Sequence, residues 1–240
     1  MGLILNGNEP INVLYNGAEV SLYFNGSKIW PIGPDPYNPL NLPPNTIRVR
    51  TSDGNPPRKD SYTSYETATL VDGTTDVYDV YKSGNSFDYL LYNSLNVIEV
   101  LGANTAGIIN MYNMFSGCIQ LATVAIFNTT SLTSMSKMFY DCRALTIVPL
   151  FDTSNVTNMN TAFRGCTNLT VVPLFNTTKV IDMSQVFYNC SKVQSGALAL
   201  YQQASTQATP PTNHLETFYN CGSNTTTGAA ELAQIPSNWK

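Results

Sequence analysis

The chain has 240 residues, 43% of them hydrophobic and only 12% charged, with a net charge of −4. That apolar share is enough for a core, while charge at about half the usual quarter leaves a near-neutral surface of Asn, Ser, Thr and Tyr. With 12 basic against 16 acidic residues and no Lys/Arg-rich run, no nucleic-acid partner is expected. No membrane insertion is expected either, because no apolar run approaches the roughly 18 residues of a span.

Residues 1–30 carry three Asn-Gly pairs, Asn6-Gly7, Asn16-Gly17 and Asn25-Gly26, each between apolar runs such as Val20–Phe24 and Lys28–Trp30. Asn-Gly supplies the positive φ angles of a tight hairpin, so 1–30 reads as a small β-meander. It is too short for much stability alone and is expected to lean on a partner or on copies of itself. Met1–Gly7 lacks a basic region followed by an apolar stretch and a cleavage site, which predicts cytoplasmic synthesis without an ordinary export signal. Residues 31–46 hold six prolines in sixteen positions and predict a stiff linker. Residues 47–86 start with Ile47–Arg50 and carry turn signals at Asp53-Gly54 and Asp72-Gly73; they predict a β-rich N-terminal cap.

From residue 87 the chain repeats. Cys118, Cys142, Cys166 and Cys190 stand 24 residues apart, and Cys221 follows after 31. Each closes one phrase, as in Met135-Ser-Lys-Met138-Phe139-Tyr-Asp-Cys142. Phe87–Ser94 reads as a worn first copy with Ser in place of Cys, and His214–Cys221 as a degraded last one. A fixed period of this length marks stacked repeats, each contacting only its neighbours. The expected fold is therefore mainly β, a parallel solenoid over 87–194. Residues 195–240 would hold the last repeat and a C-terminal cap with short helices near 195–203 and 227–233, the second stopped by Pro236.

Within one unit, runs such as Thr146–Phe151 predict one strand per repeat, irregular at Pro149 and Pro173, which lack an N–H. Asp/Asn-Thr-Thr/Ser stretches predict turns closed by side-chain bonds to backbone. Met-x-x-Met-Phe fits either a helical turn or an extended segment. Phe127, Phe151 and Phe175 are expected to stack as a spine. The odd cysteine count and absence of any C-x-x-C pair argue against metal ligation. Cys118, Cys142, Cys166, Cys190 and Cys221 are read as a buried ladder of reduced thiols.

Binding is sought where columns vary. Two residues before each Cys stand Ser116, Tyr140, Arg164, Tyr188 and Tyr219; two after the first Met stand Asn113, Lys137, Thr161, Gln185 and Glu216. Tyr140, Arg164, Tyr188 and Tyr219, with Lys137 and Gln185, are the candidate binding residues, since aligned rings and a guanidinium suit sugars or a protein loop. The bland alternative is that they shield the edge of the stack. His214, the lone histidine, falls in the Met column and reads as packed. Asp141, Asp152 and Asp182 occupy different columns, so no catalytic acid–base pair is expected. No catalytic residue, metal or cofactor is assigned.

The phrases Phe151-Asp-Thr-Ser-Asn-Val-Thr-Asn-Met159, Met-Phe-x-x-Cys and Cys-x-x-Leu-Thr-x-Val-Pro resemble those of BspA-type leucine-rich-repeat surface proteins, over roughly residues 87–225. That resemblance implies a leucine-rich-repeat-like parallel solenoid, an adhesive surface and no catalysis. Val13–Gly17 and Leu22–Pro31 are similar to short leader modules on structural proteins of gut bacteriophages. Together these imply a non-enzymatic virion protein of the virion surface, attached to other virion proteins through 1–30, homo-oligomeric, and touching host-surface carbohydrate or protein. The alternative is a bacterial cell-surface adhesin.

Overall fold

The computed structural model describes residues 40–240 and, before them, four two-residue strands. β1 (Leu14–Tyr15) pairs antiparallel with β2 (Ala18–Glu19), and β3 (Tyr23–Phe24) with β4 (Ser27–Lys28). These pairs lie on either side of Asn16-Gly17 and Asn25-Gly26, as hairpin chemistry dictates. Asn6-Gly7 and most of the proline-rich stretch lie outside the described residues.

Five strands then form one mixed sheet, and the protein is mainly β. They are β5 (Thr46–Thr51), β6 (Thr67–Leu70), β7 (Val77–Tyr81), β8 (Val97–Asn104) and β9 (Thr123–Val124), in the order β6-β7-β5-β8-β9. β5 lies antiparallel to both β7 and β8, and β9 runs parallel to β8. Alternation along β5 points Ile47 and Val49 into the core and leaves Arg48 to pair with Asp79 at 2.6 Å. Because β8 belongs to the first repeat, the 46–81 strands join the repeats through continuous backbone bonding.

The repeats themselves are linked by parallel bridges in chain order, Ser86 to Asn110, Ser134, Asn158, Asp182 and Asn213. Downstream of each bridge the backbone alternates its partners. The N–H groups of Met111, Asn113, Phe115 and Gly117 donate to carbonyls of the next copy (Ser134, Ser136, Met138, Tyr140) at 2.8–3.1 Å. Those of Met114, Ser116 and Cys118 donate three residues back within their own copy. The phrase that spacing left open is therefore neither helix nor strand but a run of tight turns, with every second N–H spent between copies.

Two residues per phrase make this possible. The third position (Tyr89, Asn113, Lys137, Thr161, Gln185, Glu216) and the seventh (Asn93, Gly117, Asp141, Gly165, Asn189, Asn220) all have φ between 50° and 76°. Only Gly, and to a lesser degree Asn and Asp, enter that left-handed region cheaply. The seventh column holds nothing else, whereas the third is held there by the stack.

The expected strand in every repeat is corrected. Thr146–Phe151 and its image at 170–175 are not strands; in this column the last strand is β9, and beyond it one isolated bridge joins Val171 to Ser195. Pro149 and Pro173 cannot donate to a ladder, and the Phe151 and Phe175 N–H groups turn back to Pro149 and Pro173 at 2.9 and 3.0 Å. The Asx turns form as read: Asn128, Asp152 and Asn176 each accept from the N–H two residues on, at 2.9–3.0 Å.

The expected aromatic spine is also corrected. Phe127 and Phe151 contact each other at 4.8 Å, but among the described residues Phe151 next meets Phe139, and Phe175 meets Phe163. The continuous stack is another column: Phe115, Phe139, Phe163, Phe187 and Phe218, with centroids 5.3–6.0 Å apart and planes within 13°. Trp239 closes it, stacked on Phe218 at 6.3 Å with its carbonyl accepting the Phe218 N–H.

All five cysteines are free and buried. Cys142, Cys166 and Cys190 donate their thiols at 3.1 Å to the carbonyls of Phe115, Phe139 and Phe163 in the preceding copy, and Cys118 does so to Leu91 at 3.0 Å. Ser94, in the same column, donates instead to Arg58. The ladder is thus hydrogen-bonded as well as apolar. The extra seven residues before Cys221 are taken up by α1 (Ala197–Thr206). α2 (Thr226–Gln234) is capped by Thr225, whose Oγ accepts from the Gly228 N–H. Glu231 on α2 accepts from the N–H groups of Gly196 and Leu198, capping α1 in turn. No helix among the described residues is long and apolar enough to cross a membrane.

Candidate functional site

The sixth residue of each phrase follows the buried Phe, so the tight turns bring it toward the edge: Tyr140, Arg164 and Tyr188 are half-buried and Tyr219 is exposed, while the small Ser116 stays buried. The result is an outer column beside the inner spine. In it Arg164 lies over the Tyr188 ring at 4.2 Å and 6.0 Å from the Tyr140 ring, and Tyr188 stacks on Tyr219 at 4.7 Å and 17°. The candidate residues Tyr140, Arg164, Tyr188 and Tyr219 therefore form one ladder. Gln185 ties it to the neighbouring column: its Oε1 accepts from Arg164 and its Nε2 donates to Glu216 at 2.6 Å. Most of the polar reach of this half of the ladder is spent internally. Asn113 and Thr161, from the second varying column, are buried and offer little surface.

Toward the N-terminal end the same face opens into a cleft of about 430 Å³ lined by Tyr62, Tyr89, Tyr92, Tyr112, Lys137 and Tyr140, with Asn113 and Ser116 at its floor. Tyr89 sits 5.4 Å from Tyr92 and 5.3 Å from Tyr112, at 65° and 78°. Tyr62, 66% exposed, closes the side at 5.9 Å from Tyr92. It is fixed by the loop that carries it: Asp60 accepts from the N–H groups of Tyr62 and Thr63 and from Asn93, while the Ser64 N–H donates to the Tyr89 carbonyl. Burial, reinforced by the Tyr112 hydroxyl, pushes the Tyr89 phenol up, so it stays neutral around pH 7. Lys137 Nζ lies 5.8 Å from the Tyr112 ring.

Of the cleft residues, Lys137 and Tyr140 were candidates from sequence; Tyr62, Tyr89, Tyr92 and Tyr112 were not. Tyr89 and Tyr92 were findable, being the 24-residue images of Asn113 and Ser116 in the worn first copy. Tyr62 lies outside the repeats and carried no periodic signal.

His214 packs half-buried against Trp239 at 4.2 Å, with Nδ1 3.3 Å from the Pro211 carbonyl. Asp152 and Asp182 are engaged in their own turns, and Asp141 meets Arg143 at 3.5 Å. No cluster of metal-ligating side chains occurs among the described residues. Burial pushes every cysteine thiol up, Cys118 to about 12, which leaves them without nucleophilic character near neutrality.

No curated protein and no solved structure matches the chain. Residues 85–200, just under half of the chain, match the family described as Mycoplasma protein of unknown function, DUF285, which is associated with BspA-like surface proteins.

Proposed function

We propose that the chain is a non-enzymatic bacteriophage virion protein that displays a leucine-rich-repeat-like solenoid to bind host-surface glycan or protein. Its N-terminal module, residues 1–30, would attach it to other virion proteins, with homo-oligomerisation steadying that small module. The observation that carries the binding role is the outer aromatic face, a Tyr/Arg column aligned copy after copy and opening into a tyrosine cleft. Aromatic rings with a few placed polar groups are the usual makings of a ligand surface. A purely structural edge has no need of five tyrosines around an open cleft. Asp141, Asp152 and Asp182 support a role without catalysis, because each is occupied in a turn or an ion pair.

The virion setting rests on the resemblance of Val13–Pro31 to phage leader modules. The match to DUF285 and its surface-protein association favours the second reading, a bacterial cell-surface adhesin using the same face. Mass spectrometry of purified phage particles, followed by gold labelling against residues 87–240, separates them. Stoichiometric recovery on particles is expected; recovery only on bacterial cells would sink the virion reading and leave the adhesin. Replacing Tyr140, Arg164 and Tyr188 together by Ala is expected to weaken attachment, and unchanged attachment would remove that ladder from the binding face.

A further inference from the structure

We infer that the cleft between the 60–64 loop and the first repeats is a subsite for a carboxylate-bearing sugar residue, of uronic or sialic type. This rests on the adhesive reading above and names the ligand class that the geometry selects. Three observations combine. First, the rings of Tyr62, Tyr89, Tyr92 and Tyr112 meet at angles from 29° to 78°, so the cleft offers ring faces and edges in more than one orientation. Pyranose rings pack their C–H faces on aromatic faces, while phenol hydroxyls, both donors and acceptors, meet sugar hydroxyls. Second, the volume of about 430 Å³ lies in the range of small-molecule sites, roughly 300–1,000 Å³.

Third, the cleft holds one charge. Lys137 is its sole ionised lining residue, and among the described residues no carboxylate pairs with it. At the other end of the same face Arg164 is bound to Gln185 and held close over Tyr188 at 4.2 Å; Lys137 stands 5.8 Å from the Tyr112 ring. A cation standing beside rings, short of an acid, gains a charge-assisted hydrogen bond from a ligand carboxylate. The same charge repels quaternary ammonium ligands, which a tyrosine cage would otherwise favour. A neutral sugar would gain the ring contacts without the ion pair.

The repeats supply their own test variants. Gln185 occupies the Lys137 column with the same φ of 55°, and Ser116 occupies the Tyr92 column, so Lys137→Gln and Tyr92→Ser respect the backbone. Calorimetric titration of the full chain compares cellobiouronic acid with cellobiose and sialyllactose with lactose. At least one acid is expected to bind about tenfold more tightly than its neutral partner, the worth of one ion pair near 1.4 kcal/mol. Lys137→Gln is expected to erase that preference without weakening the neutral sugar, Lys137→Arg to keep it, and Tyr92→Ser to weaken both sugars. Acid and neutral sugars binding alike, or a preference that survives Lys137→Gln, would overturn the assignment. Attachment of particles or cells is scored with the same variants. Loss of sugar preference with attachment intact keeps the subsite and sinks the attachment role. Attachment lost in the Tyr140/Arg164/Tyr188 variant, with no acid preference in the parent, sinks the subsite alone.

Discussion

Two columns one residue apart run the length of the repeats and obey opposite rules. Phe115, Phe139, Phe163, Phe187 and Phe218 never vary, lie fully buried and stack nearly parallel. Ser116, Tyr140, Arg164, Tyr188 and Tyr219 vary from copy to copy, and from Tyr140 onward they reach the edge of the stack. What separates them is backbone geometry: the left-handed residues on either side turn successive side chains in and out. The inner column holds the stack together and is Phe in every copy but the first, where the buried Leu91 takes its place. The outer one is free to change, and its content sets the surface: closed around Arg164, and open at Tyr140, where Lys137 of the neighbouring column lines the cleft.

The sharpest test of the inner side is alkaline. The thiols are buried beside the Phe column, and burial raises each above its unfolded value of about 8.5. With folded values raised, the stability is fully present below about pH 8.5 and falls as pH climbs, because only the unfolded chain then releases protons. One unit above that value each thiol costs about 1.4 kcal/mol. Five together rival the roughly 5–15 kcal/mol that holds a typical domain. Cooperative loss of circular dichroism is expected between about pH 9.5 and 10.5, with thiolate absorbance appearing in the same transition. Thiolate absorbance rising well before the fold is lost would mean that the inner columns are wet.

Next in size is Phe163→Ala. Its ring touches Phe139 and Phe187 at 5.4 Å each and Phe175 at 5.7 Å. The cavity left between rigid neighbours is expected to cost about 3–5 kcal/mol in urea unfolding. A loss below about 1 kcal/mol would show that the spine repacks and that the contrast between columns is one of exposure alone.

Much of this contrast was legible in the sequence, for physical reasons. The 24-residue period fixed which residues share a column, and Asp/Asn-Thr-Thr/Ser stretches close their turns by local chemistry that needs no tertiary help. Period alone could not choose between two phenylalanine columns. Phe127, Phe151 and Phe175 recur as faithfully as the true spine, and only the turns decide which rings face each other. One clue to those turns was readable: the column before Cys holds only Asn, Asp and Gly, the residues that tolerate positive φ. The other left-handed column, with Tyr89, Lys137, Thr161 and Gln185, has no such signature, because interlocking hydrogen bonds to the next copy impose its conformation. Likewise Tyr62 reaches the cleft through Asp60 and a loop outside the period, which no column count could foresee.

The smallest expected effect completes the comparison. Arg164 rests on Tyr188 and bonds to Gln185, yet it remains partly open to solvent. Exposed cation–ring and ion contacts of this kind are worth about 0.5–1 kcal/mol. Arg164→Ser places in the fourth copy the residue that Ser116 already provides in the second, on the same backbone. The expected loss is therefore about 1 kcal/mol or less in urea, with the circular dichroism unchanged. A loss approaching that of Phe163→Ala would mean that the outer ladder is a second spine. The varied tyrosines and arginine would then be there to hold the stack, and only the cleft around Lys137 would remain as a surface built for a ligand.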